Sequence, residues 1–337
     1  MRRATGLVLR AGVALGGLAL AFHLALPADQ SNAAVAASLL SAWSVPAAEA
    51  LGWFGLAVLL LGVNLGVGAV RFRGLLRGAD LHIDLATLLR AYLVAAFFNL
   101  ALPGAMFGDV YRFWDARRDT GEGSRVLAVV SLERILSLGA LGAIALAVAP
   151  VIPSLHEDRQ LLLWLVLAGG AFVALAIAVL LPPVNRSFQR LALGLGRLSA
   201  SLSASSVRAL EAVSALASQP AVVSRAFGWS LVNQALPVLA LAVLAIPLDA
   251  WVPWYWFAVI VPFVTLVSLL PISIGGTGVR EVLYVSLFGA VGMPAEDALA
   301  LSLSVLAAAL VWGGVGLAVF ATGRREGPSP ATTQVSR

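Results

Sequence analysis

Apolar runs dominate the chain, and they come in lengths that match a bilayer. A membrane-spanning helix needs about 20 mainly apolar residues. Six stretches qualify: 5–26, 51–70, 126–150, 160–181, 226–246 and 298–320. Each is bounded by charge, proline or a polar run. Two further apolar stretches, 91–102 and 254–291, are interrupted by Gly and Pro. The pattern predicts an all-α polytopic integral membrane bundle, with six full spans and two broken segments. Arg2 and Arg3 precede the first run as in a signal peptide, but the run is long and further spans follow, so an uncleaved helix is expected. Residues 1–322 then form one transmembrane domain, and the polar tail 323–337 is expected to be disordered.

Composition supports this reading. Of the 337 residues, 60% are hydrophobic and 12% charged, against about 25% charged in soluble domains. The basic residues number 22 and all are arginine. With no cysteine, disulfide frameworks and cysteine-ligated metals are excluded. His23, His82 and His156 lack metal-ligand spacing, and no cofactor is expected. An arginine-only, alanine-rich chain points to a GC-rich bacterial genome.

The net charge of +5 would suggest nucleic acid in a soluble protein. In a membrane protein, arginines instead mark the cytoplasmic side. With the N-terminus inside, Arg159 faces outward and Arg134 and Arg280 fall within apolar segments. The other 19 of the 22 (22 − 1 − 2) are then cytoplasmic, Arg71, Arg73 and Arg77 among them. That predicts a multi-pass bacterial inner-membrane protein with both termini cytoplasmic. Segment 185–219, with Ser199, Ser201, Ser203, Ser205 and Ser206 and spaced leucines, reads as an amphipathic helix or helix pair at the cytoplasmic interface. Trp251, Trp254, Tyr255 and Trp256 read as an outer aromatic belt.

The broken segments carry the candidate chemistry. Segment 91–102 has basic flanks on both sides, so it must enter and leave on one face, turning at Pro103-Gly104. Segment 254–292 has Asp249 before it and the acidic Pro294–Asp297 loop after it, and breaks at Pro271–Gly278. Its second arm has 14 residues, about 21 Å of helix, short of the ~30 Å core. Two re-entrant hairpins, one from each face, satisfy these facts. Two kinked helix pairs are the plainer arrangement. Each hairpin has Pro, glycines, then an acid and an arginine, as in an inverted repeat whose broken helices meet at the midplane.

In the first hairpin, Gly104 and Gly108 would free backbone N–H groups for an anion and Arg112 would add a phosphate-matching fork. In the second, Gly275, Gly276 and Gly278 would do the same, with Arg280. Against this, the first could be a plain turn with Asp109 as helix cap. Ionisable residues inside a membrane are rare and point to function. Arg280 and Glu281 are adjacent, so their side chains should diverge on a helix. Cross-pairing is expected among Asp109, Glu133, Arg134, Arg280 and Glu281, as a functional charge network or a purely structural one.

These motifs resemble one family. Pro103-Gly104, Gly108-Asp109 and Arg112, then Glu133-Arg134, then Pro271, Gly275-Gly276, Gly278 and Arg280-Glu281 are similar to the transmembrane region of lysylphosphatidylglycerol synthases. The resemblance covers roughly 7–320. Phe107 departs from it, standing where the family usually has the first of two glycines. The resemblance implies a flippase-type domain moving a lipid headgroup between leaflets. The family's soluble aminoacyl-transfer domain is not expected here, so lipid aminoacylation is not either.

The leading expectation is a lipid transporter for an anionic, phosphate-containing headgroup. Gly104, Gly108, Arg112, Gly275, Gly276, Gly278 and Arg280 would bind it; Asp109, Glu133, Arg134 and Glu281 would balance charge. Alternatives are a membrane transferase or hydrolase with Asp109 or Glu281 as base, or a non-catalytic subunit docking through 185–219. Membrane lipids are the expected partners, with no nucleic acid; a homo-oligomer or a membrane partner stays open.

Overall fold

The computed structural model describes residues 45–102, 106–153, 159–180, 200–250, 252–268 and 277–323. The expected span 5–26, Pro103, Gly104, Gly275, Gly276, residues 185–199 and the tail from 324 lie outside them. The described residues form an all-α bundle: α1 (Ala47–Gly78), α2 (Leu85–Ala101), α3 (Phe107–Thr120), α4 (Gly123–Val148), α5 (Arg159–Leu180), α6 (Ala200–Ala217), α7 (Pro220–Ala245), α8 (Trp254–Ser268), α9 (Val279–Ala290) and α10 (Ala295–Thr322). A 3₁₀ turn, Ala149–Val151, extends α4.

Four of these, α1, α4 with its 3₁₀ turn, α7 and α10, are long and apolar enough to cross a membrane. Their outward faces keep Leu59, Val63, Leu239, Leu310 and Leu317 exposed. That suits a lipid solvent, where apolar exposure carries no hydrophobic cost. The chain is therefore a multi-pass membrane protein. The shorter α2 has 17 residues and α9 has 12, rising about 25 Å and 18 Å. Neither reaches across a ~30 Å core alone.

Helix α1 runs antiparallel to α7. Asn233 donates to the Asn64 carbonyl (3.1 Å) and side chain (2.5 Å), and Gln219 donates to the Gly78 carbonyl (2.9 Å). Two apolar cores flank this pair. One joins α7 to α8, α9 and α10 through Leu241, Leu244, Phe257, Phe288 and Leu299. The other joins the end of α1 to α2, α4 and α6 through Phe72, Leu75, Leu132, Leu136 and Leu216. In α6, Ala209, Val213 and Leu216 are buried while Arg208 and Glu211 face out, the spacing of one helical stripe.

Small residues set how closely the helices approach. A Cβ on Gly316 of α10 would lie 2.0 Å from the Leu93 carbonyl of α2, and one on Gly142 of α4 would lie 2.5 Å from the Gly169 carbonyl of α5. Neither backbone oxygen can yield without separating the helices. Such small-residue seams are how apolar helices associate in lipid. Helix α2 opens on Asp84, whose carboxylate accepts from the Thr87 amide (2.9 Å) and hydroxyl (2.6 Å). These bonds hold the Asp84 carboxyl below its ordinary range.

Gly316→Val should lower stability by about 1–3 kcal/mol, read as a lower melting temperature in detergent. Asp84→Ala should cost about 1 kcal/mol as a lost N-cap. Because the folded carboxyl titrates lower than the unfolded one, this contribution is present above the unfolded pKa and fades as pH falls through the folded one. Wild type and Asp84→Ala melts should converge in strong acid.

Candidate functional site

The polar side chains of four helices converge on one carboxylate. Glu133 of α4 is 1% exposed. Its Oε1 accepts from Arg71 of α1 at 2.6 Å and from the Tyr92 hydroxyl of α2 at 2.7 Å. Arg112 of α3 donates to Oε1 at 3.1 Å and to Oε2 at 2.9 Å. Arg112 also bonds the Tyr92 hydroxyl and Asp109, and Asp109 takes Arg134 on its second oxygen. A buried charge is tolerated only when it is paired and its remaining hydrogen-bonding sites are filled, and Glu133 meets both conditions.

Local sequence explains each placement. Glu133 and Ser137 are one turn apart on α4, so Ser137 can also accept from Arg71, at 2.9 Å. Ser230 of α7 accepts from the same guanidinium nitrogen at 3.0 Å. The Arg112 guanidinium lies 4.3 Å from the Tyr92 ring centroid and 5.3 Å from that of Phe72, a cation–π arrangement. Tyr92 passes over Gly68, where a Cβ would stand 2.4 Å from its ring.

The first hairpin closes through Gly108, whose N–H donates to Asn99 Oδ1 at 2.8 Å. A Cβ there would meet the Asn99 side chain at 2.7 Å and the Ala95 carbonyl at 2.8 Å. The close approach falls on Gly108, while Phe107 points outward, 37% exposed. This is why the chain accommodates a bulky residue at that departure.

A polar cavity of about 340 Å³ opens beside the charges, lined by Arg71, Asp109, Arg112, Glu133 and Arg134 together with Asn64, Asn99, Asn233 and Gln234. Thr265 of α8 reaches it from the second hairpin. Pro237 lines it too and leaves the Asn233 carbonyl without its helical donor. Three arginines against two carboxylates leave the cluster one positive charge in excess.

The structure brings Gly108, Asp109, Arg112, Glu133 and Arg134 together. It corrects the expected cross-pairing of Arg280 and Glu281. Among the described residues these two pair with each other, at 2.8 Å, and not with the first cluster. The reason lies in the helix start. Glu281 sits in the first turn of α9 and folds back to accept the Gly278 N–H at 2.5 Å. Its other oxygen is then left beside the helix end, where Arg280 wraps onto it. Ser302 of α10 approaches the same oxygen at 3.5 Å. Gly278 therefore serves this turn, at φ 85°.

Arg71 does more than the positive-inside pattern asks of it. Expected among the cytoplasmic arginines, it is 5% exposed and bonded to Glu133. Helix α1 continues to Gly78, so Arg71 lies a full two turns before its end. Tyr92, Asn64, Asn99 and Asn233 were also passed over. The available signal was the placement of Asn64 and Asn233 inside apolar runs.

A search of curated proteins finds no match. The profile described as the lysylphosphatidylglycerol synthase TM region matches residues 8–320, which include every residue of the ionic cluster. The chain belongs to the lysylphosphatidylglycerol synthase transmembrane-region family, and its function is related to membrane lipids.

Proposed function

We propose that the protein moves a lipid with an anionic, phosphate-containing headgroup between leaflets. The observation that carries this is the polar cavity with its excess of one positive charge, enclosed by helices whose outer faces are apolar. Polar space at membrane depth is tolerated where protein or water surrounds it. Arg134 is the recruiting group. Its side chain is 33% exposed and, among the described residues, bound through Asp109, whereas Arg71 and Arg112 are buried and tied to Glu133. Transferase chemistry has less support, because Asp109 and Glu281 are both committed to arginines and neither is a free base. The arginine distribution supports cytoplasmic termini, and the arginine-only, alanine-rich composition supports a bacterial inner membrane.

Glu133→Gln and Arg134→Gln should separate scaffold from transport. The first leaves two buried arginines short of a counter-charge and should cost about 3–5 kcal/mol of stability, read by thermal melting in detergent. The second should keep the wild-type melt. In vesicles with fluorescent phosphatidylglycerol it should slow exchange between leaflets about tenfold or more, the worth of a charged hydrogen bond. Wild-type vesicles that exchange no faster than protein-free ones, across several anionic lipids, would sink the transport reading. The absence of native cysteine makes orientation directly readable. Asp80→Cys should react with an impermeant maleimide only from the cytoplasmic side, and Glu296→Cys only from outside.

A further inference from the structure

A second cavity, about 370 Å³, lies in the cleft between the end of α1 and the start of α7. Four arginines line it: Arg71, Arg73, Arg77 and Arg225. No acidic residue lines it. Among the described residues Arg73, Arg77 and Arg225 form no ion pair. A cytoplasmic address explains charged groups standing in water. It does not explain the Nε atoms of Arg71 and Arg73, which among the described residues are buried without a hydrogen-bond partner. Buried donors of this kind call for an acceptor, and with two exposed guanidinium groups lining the same cleft a polyvalent one fits.

We infer that this cleft binds the phosphate of an anionic phospholipid headgroup, and that it loads the polar cavity. A phosphate offers several acceptor oxygens to guanidinium forks. A lipid fits better than a free anion because, Gln219 apart, the remaining side chains of the walls are apolar, Val70, Val222 and Ala226, and Trp229, 36% exposed, stands beside them. An indole with one apolar and one wet side belongs at a membrane interface. The cleft also sits where charge begins at the ends of two membrane-length helices. Arg71 lines both cavities, so a headgroup held here is one side chain away from the Glu133 cluster. The loading role rests on the transport reading above, while the binding itself does not.

The test is lipid retention by the full chain in detergent, followed by native mass spectrometry. Phosphatidylglycerol should bind about tenfold or more tightly than phosphatidylcholine, which carries the same phosphate but also a quaternary ammonium that four arginines without an acidic neighbour repel. The double variant Arg77→Gln/Arg225→Gln alters only exposed side chains and should retain its fold and lose this preference. Arg73→Gln should weaken it further. Equal binding of the two lipids, or a preference that survives in the double variant, overturns the proposal. So does inorganic phosphate binding as tightly as the lipid, since the cleft would then hold a soluble anion. Leaflet exchange is read separately. A failed exchange assay with intact lipid preference overturns transport and loading, and leaves the binding site standing.

Discussion

Glu133 holds a buried negative charge between two buried arginines, and the bundle is organised around that contact. Arg71 arrives from α1, Arg112 from α3 and Tyr92 from α2. No apolar packing could draw these three groups to one point, because each is costly to bury alone. Together they neutralise and hydrogen-bond one another, so displacing any one strands the others. In a medium without water the cluster has no solvated alternative. This makes it a register lock between helices that otherwise meet along interchangeable apolar faces.

The lock also leaves something unspent. Arg134 and Asp109 sit at the open side of the cluster, and their pairing completes a set with three positive and two negative charges. The fully buried part and the more exposed part are therefore adjacent but distinct. Glu133, Arg71 and Arg112 hold position. Arg134 and the amide side chains of Asn64, Asn99 and Asn233 face the cavity. Beyond Arg71, the cleft of Arg73, Arg77 and Arg225 continues the positive surface toward the helix ends. Arg71 lines both cavities, so exposed guanidinium groups in one adjoin paired ones in the other.

The second hairpin plays a different part from the first. Its Arg280–Glu281 pair closes on itself over the start of α9, against Ser302 of α10. This is a local solution to the same problem of buried charge. Its link to the cavity is instead Thr265 on α8. Similar motifs in the two hairpins therefore carry unlike roles among the described residues: one ties four helices together and the other caps one helix.

Much of this was legible in the residues. Apolar run length determined the helices and their membrane setting, since in lipid only a helix satisfies every backbone group of such a run. The rarity of charge within those runs singled out Glu133 and Arg134, and the Pro-Gly break singled out Asp109 and Arg112, before any coordinates. Partner choice was not legible. Arg71 looked like one more arginine at a span's end, because composition cannot tell where along a 32-residue helix the interior stops. Arg280 and Glu281 looked bound to diverge, because helical spacing ignores a carboxylate that turns back to a free N–H at the first turn. Tyr92 and Gly68 carried no sequence signal for an ionic site. Which charges meet depends on helix packing across 21 to 62 residues of chain, and that was decided by tertiary structure: electrostatic pairing is short-ranged in space and indifferent to separation in sequence.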